Sequence, residues 1–170
     1  MVSFVPEYCF DTFDMVTVEF LTSLSIKGVV LDIDNTLEPY ENLLPGERVI
    51  NWITDLKNAG ISLAIVSNNN SERVTSFNSA LNLPAYFKAG KPFKKNILNA
   101  MRDMGTTAND TILIGDQIFT DVWAAHNAKI KAVLVKPIKD KTDLFTRFKR
   151  CLEKIPLKKY IKRNETEKRK

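Results

Sequence analysis

The sequence predicts an α/β fold, a three-layer Rossmann-like sandwich with a central parallel sheet. Two observations lead there. Near-continuous apolar, β-branched runs recur along the chain, and segments with helical periodicity separate them. Strands buried on both faces read as unbroken apolar runs, and helices between them are the crossovers that parallel pairing needs.

In chain order, GVVLDI (28–33) is the first strand run. PGERVINWITDLKNAG (45–60) places Val49, Ile53 and Leu56 at helical spacing, with Pro45 opening it and Gly60 closing it. ISLAIVS (61–67) is the next strand, and SERVTSFNSALN (71–82) reads as a helix beginning at a serine cap. KPFKKNILNAMRDMG (91–105) is a third helix closed by Gly105. TILIG (111–115) and KAVLVK (131–136) are strands that flank the helical QIFTDVWAAHNA (117–128). No internal repeat is present.

A chain of 170 residues, 44 % apolar and 26 % charged, suffices for one well-buried core. Cys9 and Cys151 are far apart and in no metal-type spacing, which suggests reduced thiols. No apolar run is long enough to span a membrane, and the N-terminus, interrupted by Glu7, Asp11 and Asp14, does not read as a signal peptide. A cytoplasmic location follows as the expectation. The net charge of +5 conceals an asymmetry: residues 136–170 carry a net +9 and the rest a net −4. The expected organisation is an N-terminal segment (1–25) packed on the core or facing a membrane, a catalytic domain (26–138), a basic amphipathic helix (139–157) and a disordered basic tail (158–170). Leu144, Phe148, Leu152 and Ile155 form the apolar stripe of that helix. Such a helix packs on a core or lies on an anionic membrane. Nucleic acid is the weaker expectation, because the tail shows little aromatic interleaving.

In open parallel sheets, ligands bind beyond the carboxyl ends of the strands. Asp32 and Asp34 end the first strand run, Ser67 and Asn68 the second, Gly115 and Asp116 a later one. Asp32 and Asp34 sit at the end of an apolar run, where carboxylates need a partner or a metal. Asp32 and Asp116 suit a hard cation such as Mg²⁺, which takes carboxylates, waters and phosphate oxygens. Aspartate is also a covalent nucleophile in phosphoryl transfer. A second aspartate two residues on can protonate the leaving oxygen and then activate water. Ser67 can donate to phosphate, and Lys91, with Lys88 as the fallback, can neutralise charge on the transferring group. His126, the single histidine, reads as an ordinary helix residue.

These residues carry a resemblance. DIDNT (32–36), VSNN (66–69), GKP (90–92) and GDQIFTD (115–121) resemble, in order and spacing, the four motifs of the haloacid dehalogenase superfamily. The resemblance implies that Asp32 is nucleophile and Mg²⁺ ligand. It implies that Asp34 is acid/base with its backbone carbonyl on the metal, and that Ser67 and the Asn68 backbone bind phosphate. Lys91 would steady nucleophile and phosphate, Asp116 would ligate Mg²⁺, and Asp121 would orient metal-bound water. Aspartate at position 34, where ion-pumping relatives carry threonine, favours rapid hydrolysis. Only 32 residues separate Asp34 from Ser67 and 23 separate Ser67 from Lys91, so no lid domain is expected. The longer stretches IKGVVLDIDNTLEPYE, VSNNNSERV, KAGKPFKK and GDQIFTDVWAAHNAKIKAVLVKPI are similar to the subfamily IIIA branch related to phosphatidylglycerophosphate phosphatases. Lys129 departs from the pattern, which leads one to expect glycine there. The resemblance implies a capless phosphomonoesterase acting on phosphatidylglycerophosphate, peripheral at the inner membrane surface. A soluble sugar or nucleotide phosphate is the alternative substrate, and a nucleic-acid-associated module the more distant one.

Overall fold

The computed structural model describes residues 4–139, 156 and 158–161. Six parallel strands form one sheet: β1 (Tyr8–Phe10), β2 (Gly28–Leu31), β3 (Ser62–Val66), β4 (Ala85–Tyr86), β5 (Thr111–Gly115) and β6 (Lys131–Val135). Their order across the sheet is β1-β6-β5-β2-β3-β4, with β2 at the centre between β3 and β5. Among the described residues, α1 (Val18–Ser23), α2 (Glu47–Asn58), α3 (Ser71–Asn78), α4 (Lys95–Met104) and α5 (Trp123–Asn127) cover it.

The period-2 geometry of the strands sorts their side chains onto two faces. Val29, Leu31, Leu63, Ile65, Ile112, Ile114 and Val133 face Leu21 of α1, Trp52 and Ile53 of α2, and Phe77 of α3. Val30, Ala64, Val66, Leu113, Ala132 and Leu134 face Ile97 and Met101 of α4 and Ala124 of α5. The predicted three-layer α/β sandwich is therefore the observed one. Only a loop joins β2 to α2, and α3 and β4 occupy the chain between β3 and α4, so the described residues contain no inserted lid domain.

Several local expectations are corrected. The α3 cap is Asn70, whose side chain accepts from the Arg73 amide, not Ser71. α4 begins at Lys95 rather than at Lys91, because a residue before proline is pushed out of the helical region. The run 117–128 is not one regular helix. A π-helical turn, Ile118–Val122, precedes α5. Lys129 takes φ +62°, the left-handed geometry for which glycine is the ordinary choice. Residues 158–161 are helical where an unstructured tail is expected, and the Tyr160 hydroxyl accepts a hydrogen bond from the Cys9 amide at 3.2 Å. The Leu144, Phe148, Leu152 and Ile155 stripe lies outside the described residues. Among those described, no helix is long and apolar enough to cross a membrane.

Candidate active site

A cavity of about 320 Å³ opens at the carboxyl ends of the central strands, lined by Asp32, Asp34, Tyr40, Ser67, Asn68, Asn69, Lys91, Gln117 and Thr120. Asp32 follows β2, Ser67 follows β3, and Asp116 follows β5. The parallel register that places Leu31 beside both Ile65 and Ile114 is what brings these three strand ends together.

Lys91 is buried at the floor. Its Nζ donates to Asp32 Oδ1 and to Asp121 Oδ1, each at 2.6 Å. The Asn68 carboxamide holds the backbone of the same lysine: its Oδ1 accepts from the Lys91 amide at 2.7 Å and its Nδ2 donates to the Lys91 carbonyl at 3.1 Å. Sequence reasoning assigns Asn68 only a backbone role, yet its side chain ties the end of β3 to the lysine turn. Lys88 does not line the cavity.

Asp121 reaches Lys91 because the π-helical turn folds back over the end of β5. The Gln117 amide donates to Asp121 Oδ2 at 3.0 Å, and a Cβ on Gly115 would overlap the Asp121 side chain. π-Turns of this kind often re-aim functional side chains. Thr36 Oγ1 donates to Asp116 Oδ1 at 3.4 Å. Ser67 Oγ accepts from the Asn69 amide at 3.2 Å, so its hydroxyl proton can be given to a ligand.

Asp34 is held by two groups absent from the sequence reading. Arg73 Nε donates to its Oδ1 at 3.0 Å, and Asn69 Nδ2 to its Oδ2 at 2.9 Å. The signal for Arg73 is its place four residues before the core residue Phe77, on the buried face of α3. His126 stands away from this cavity, 3.2 Å from Glu7.

Carboxylates crowd the floor. Asp32, Asp116 and Asp121 are all buried, with carboxylate oxygens within 4.8 Å of one another, and Lys91 is the cation bonded to two of them. Buried charges are stable only when compensated. Three carboxylates gathered around one ammonium offer oxygen ligands of the kind that a hard divalent cation takes. Burial, above all, lifts the Asp32 carboxyl to about 7; attraction to Lys91 opposes the rise, and repulsion from Asp121 and Asp34 adds to it. Lys91 is raised: burial works against its charge, but the Asp121 and Asp32 carboxylates outweigh it.

Comparison with known proteins gives the family. Residues 11–135 match the family described as haloacid dehalogenase-like hydrolase. The chain is 35 % identical over 151 residues to the probable phosphatase YqeG of Bacillus subtilis (strain 168), spanning 89 % of this chain and 88 % of that protein. In fold it is similar to CbbY from Rhodobacter sphaeroides in complex with phosphate (TM-score 0.57, 13 % identity, 71 % of this chain and 90 % of that one). It is similar also to the cobalt-bound deoxy-D-mannose-octulosonate 8-phosphate phosphatase of Haemophilus influenzae (TM-score 0.52, 21 % identity, 66 % of this chain and 80 % of that one). The chain thus belongs to the haloacid dehalogenase-like hydrolases, and it is a phosphatase of that family.

Proposed function

We propose that the protein is a Mg²⁺-dependent phosphomonoesterase that works through an aspartyl-phosphate at Asp32, and that its substrate is phosphatidylglycerophosphate, converted to phosphatidylglycerol. Asp32 Oδ1 is engaged by Lys91, so the other carboxylate oxygen is the one left to attack phosphorus. As that P–O bond forms, the ester P–O bond breaks and the leaving oxygen takes a proton from Asp34. Asp34, now a carboxylate, removes a proton from water, whose oxygen attacks the phosphorus and returns Asp32 and inorganic phosphate. Ser67, the Asn68 backbone and Lys91 bind the phosphoryl oxygens. Asp32, the Asp34 carbonyl and Asp116 would hold the metal, with Asp121 behind them; the ion supplies charge neutralisation for the transferring phosphoryl group.

The observation that carries the substrate class is the set of exposed apolar side chains on the two segments that supply Tyr40 and Lys91 to the cavity. Tyr40 lines the cavity and is half exposed, and Leu43 and Leu44 in the same loop are 60 % and 61 % exposed. Phe93, two residues past Lys91, is 75 % exposed. Large apolar side chains left in water on segments that supply a site are suited to meeting an apolar partner. A phosphate presented from a membrane would bring acyl chains to these residues, and the basic residues 136–170 favour an anionic, cytoplasmic leaflet.

The test is phosphate release from phosphatidylglycerophosphate in mixed micelles with Mg²⁺, beside soluble sugar and nucleotide phosphates and an Asp32→Asn control. Preference for the lipid, abolished by Asp32→Asn, is expected. Turnover confined to soluble esters would keep the chemistry and discard the lipid.

A further inference from the structure

We propose that Arg73 is a positioning residue for hydrolysis, acting through Asp34. The proposal rests on the reading of Asp34 as acid and base. Arg73 is 4 % exposed, and its planar guanidinium faces three ways. Nε donates to Asp34 Oδ1 at 3.0 Å, and Nη1 donates to the Leu43 carbonyl at 3.1 Å. Cζ lies 5.2 Å from the centre of the Phe77 ring, which packs in the core.

The arrangement is costly to the fold. A guanidinium is taken out of water, and its Nη2 is buried with no hydrogen-bond partner among the described residues. An apolar side chain of similar volume would fill the same face of α3 without an orphaned donor. What the arginine supplies is geometry. From α3, its rigid fork fixes two points of one loop to each other: the Asp34 carboxylate and, nine residues on, the Leu43 carbonyl of the stretch whose Tyr40 lines the cavity. With Asn69 on the second oxygen, both oxygens of Asp34 are held from the side of α3 before any substrate arrives. Acid and loop are thereby preorganised as one unit, and the cost of orienting them is met by folding.

The experiment measures kcat and KM for p-nitrophenyl phosphate with Mg²⁺, comparing Arg73→Gln and Arg73→Lys in the native and Asp34→Asn backgrounds. In the native background Arg73→Gln is expected to lower kcat by about 10- to 100-fold, the usual cost of removing a group that orients a functional residue. KM should stay within about twofold, and Arg73→Lys should recover part of the loss. In the Asp34→Asn background the Arg73 substitutions should change kcat by less than about twofold, because the group they act through is gone. An equal loss in both backgrounds, or wild-type kcat in Arg73→Gln, overturns the proposal. Wild-type kcat in Asp34→Asn alone would instead remove the reading of Asp34 on which it stands. Should Arg73→Gln fail to fold, hydrogen exchange on Arg73→Lys decides: faster exchange confined to residues 40–46 supports the tether, and unchanged exchange there overturns it.

Discussion

Lys91 and Asp32 form a buried ion pair, Nζ to Oδ1 at 2.6 Å, at the floor of an open cavity. The two partners are not equivalent. Lys91 also holds Asp121, so its loss leaves two carboxylates buried without a cation. Breaking such a pair from one side costs about 3–5 kcal/mol. Lys91→Met should therefore lower the free energy of unfolding in urea by that order and abolish turnover. Asp32→Asn should abolish turnover while costing little or no stability in chelator. Equal destabilisation by both would contradict the charge balance.

The same pair sets a pH dependence in the metal-free protein. Asp32 is raised from 3.8 to about 7, chiefly by burial, so the folded state holds its proton more tightly than the unfolded state does. The contribution is fully present below the lower value and is lost as pH rises through the upper one. Thermal unfolding in chelator should show this part of the stability declining across that window, and Asp32→Asn should remove the decline. The proposed Mg²⁺ would bind the ionised carboxylate, so its affinity should rise over the same interval and offset the loss.

Gly115→Ala tests the fold-back of the π-turn. A Cβ there would overlap the Asp121 side chain, which would have to leave Lys91. Overpacking of this kind costs about 1–3 kcal/mol. The larger expected effect is on kcat, read with any soluble phosphomonoester the enzyme turns over.

Asn70→Ala removes the side chain that caps α3. A loss of about 1 kcal/mol in urea unfolding is expected. An unchanged midpoint would mean that packing of Val74 and Phe77 alone fixes the start of that helix.

Leu44→Ser combined with Phe93→Ser tests the exposed apolar side chains. The ratio of phosphatidylglycerophosphate turnover in micelles to soluble-ester turnover should fall about thirtyfold, at about 1 kcal/mol for each large side chain withdrawn from an apolar phase. An unchanged ratio would place the substrate among soluble esters.

Much of the frame was legible in residues because parallel strands declare themselves. β2, β3, β5 and β6 are four- and five-residue apolar runs buried on both faces. β1 and β4 are three and two residues long and only partly buried, too short for any period to show. Their pairing comes from neighbours in space. The polar groups around the cavity were readable for the same reason as the strands, since sheet topology dictates which ends meet. Arg73 and the Asn69 side chain were not readable, because their significance comes from burial and from a partner more than thirty positions away. α4 starts at Lys95, four residues later than the run 91–105 predicts, and the Lys91-Pro92 pair that precedes it belongs to the turn that carries the lysine. Lys129 shows that a left-handed helix stop can be met by a side chain other than glycine's, at a modest conformational cost.

The sheet order has a consequence for how the molecule comes into being. Among the described residues β1 is the first strand in chain order, and it pairs with β6, the last. The central strands can assemble as they emerge, but the Tyr8–Phe10 segment must remain without its hydrogen-bond ladder until Lys131–Val135 has been made. Closing that edge is a long-range event, and its entropic cost must be met before the sheet is complete. A chain halted before β6 would carry every residue named at the cavity and still present an open strand to its neighbours in the cell.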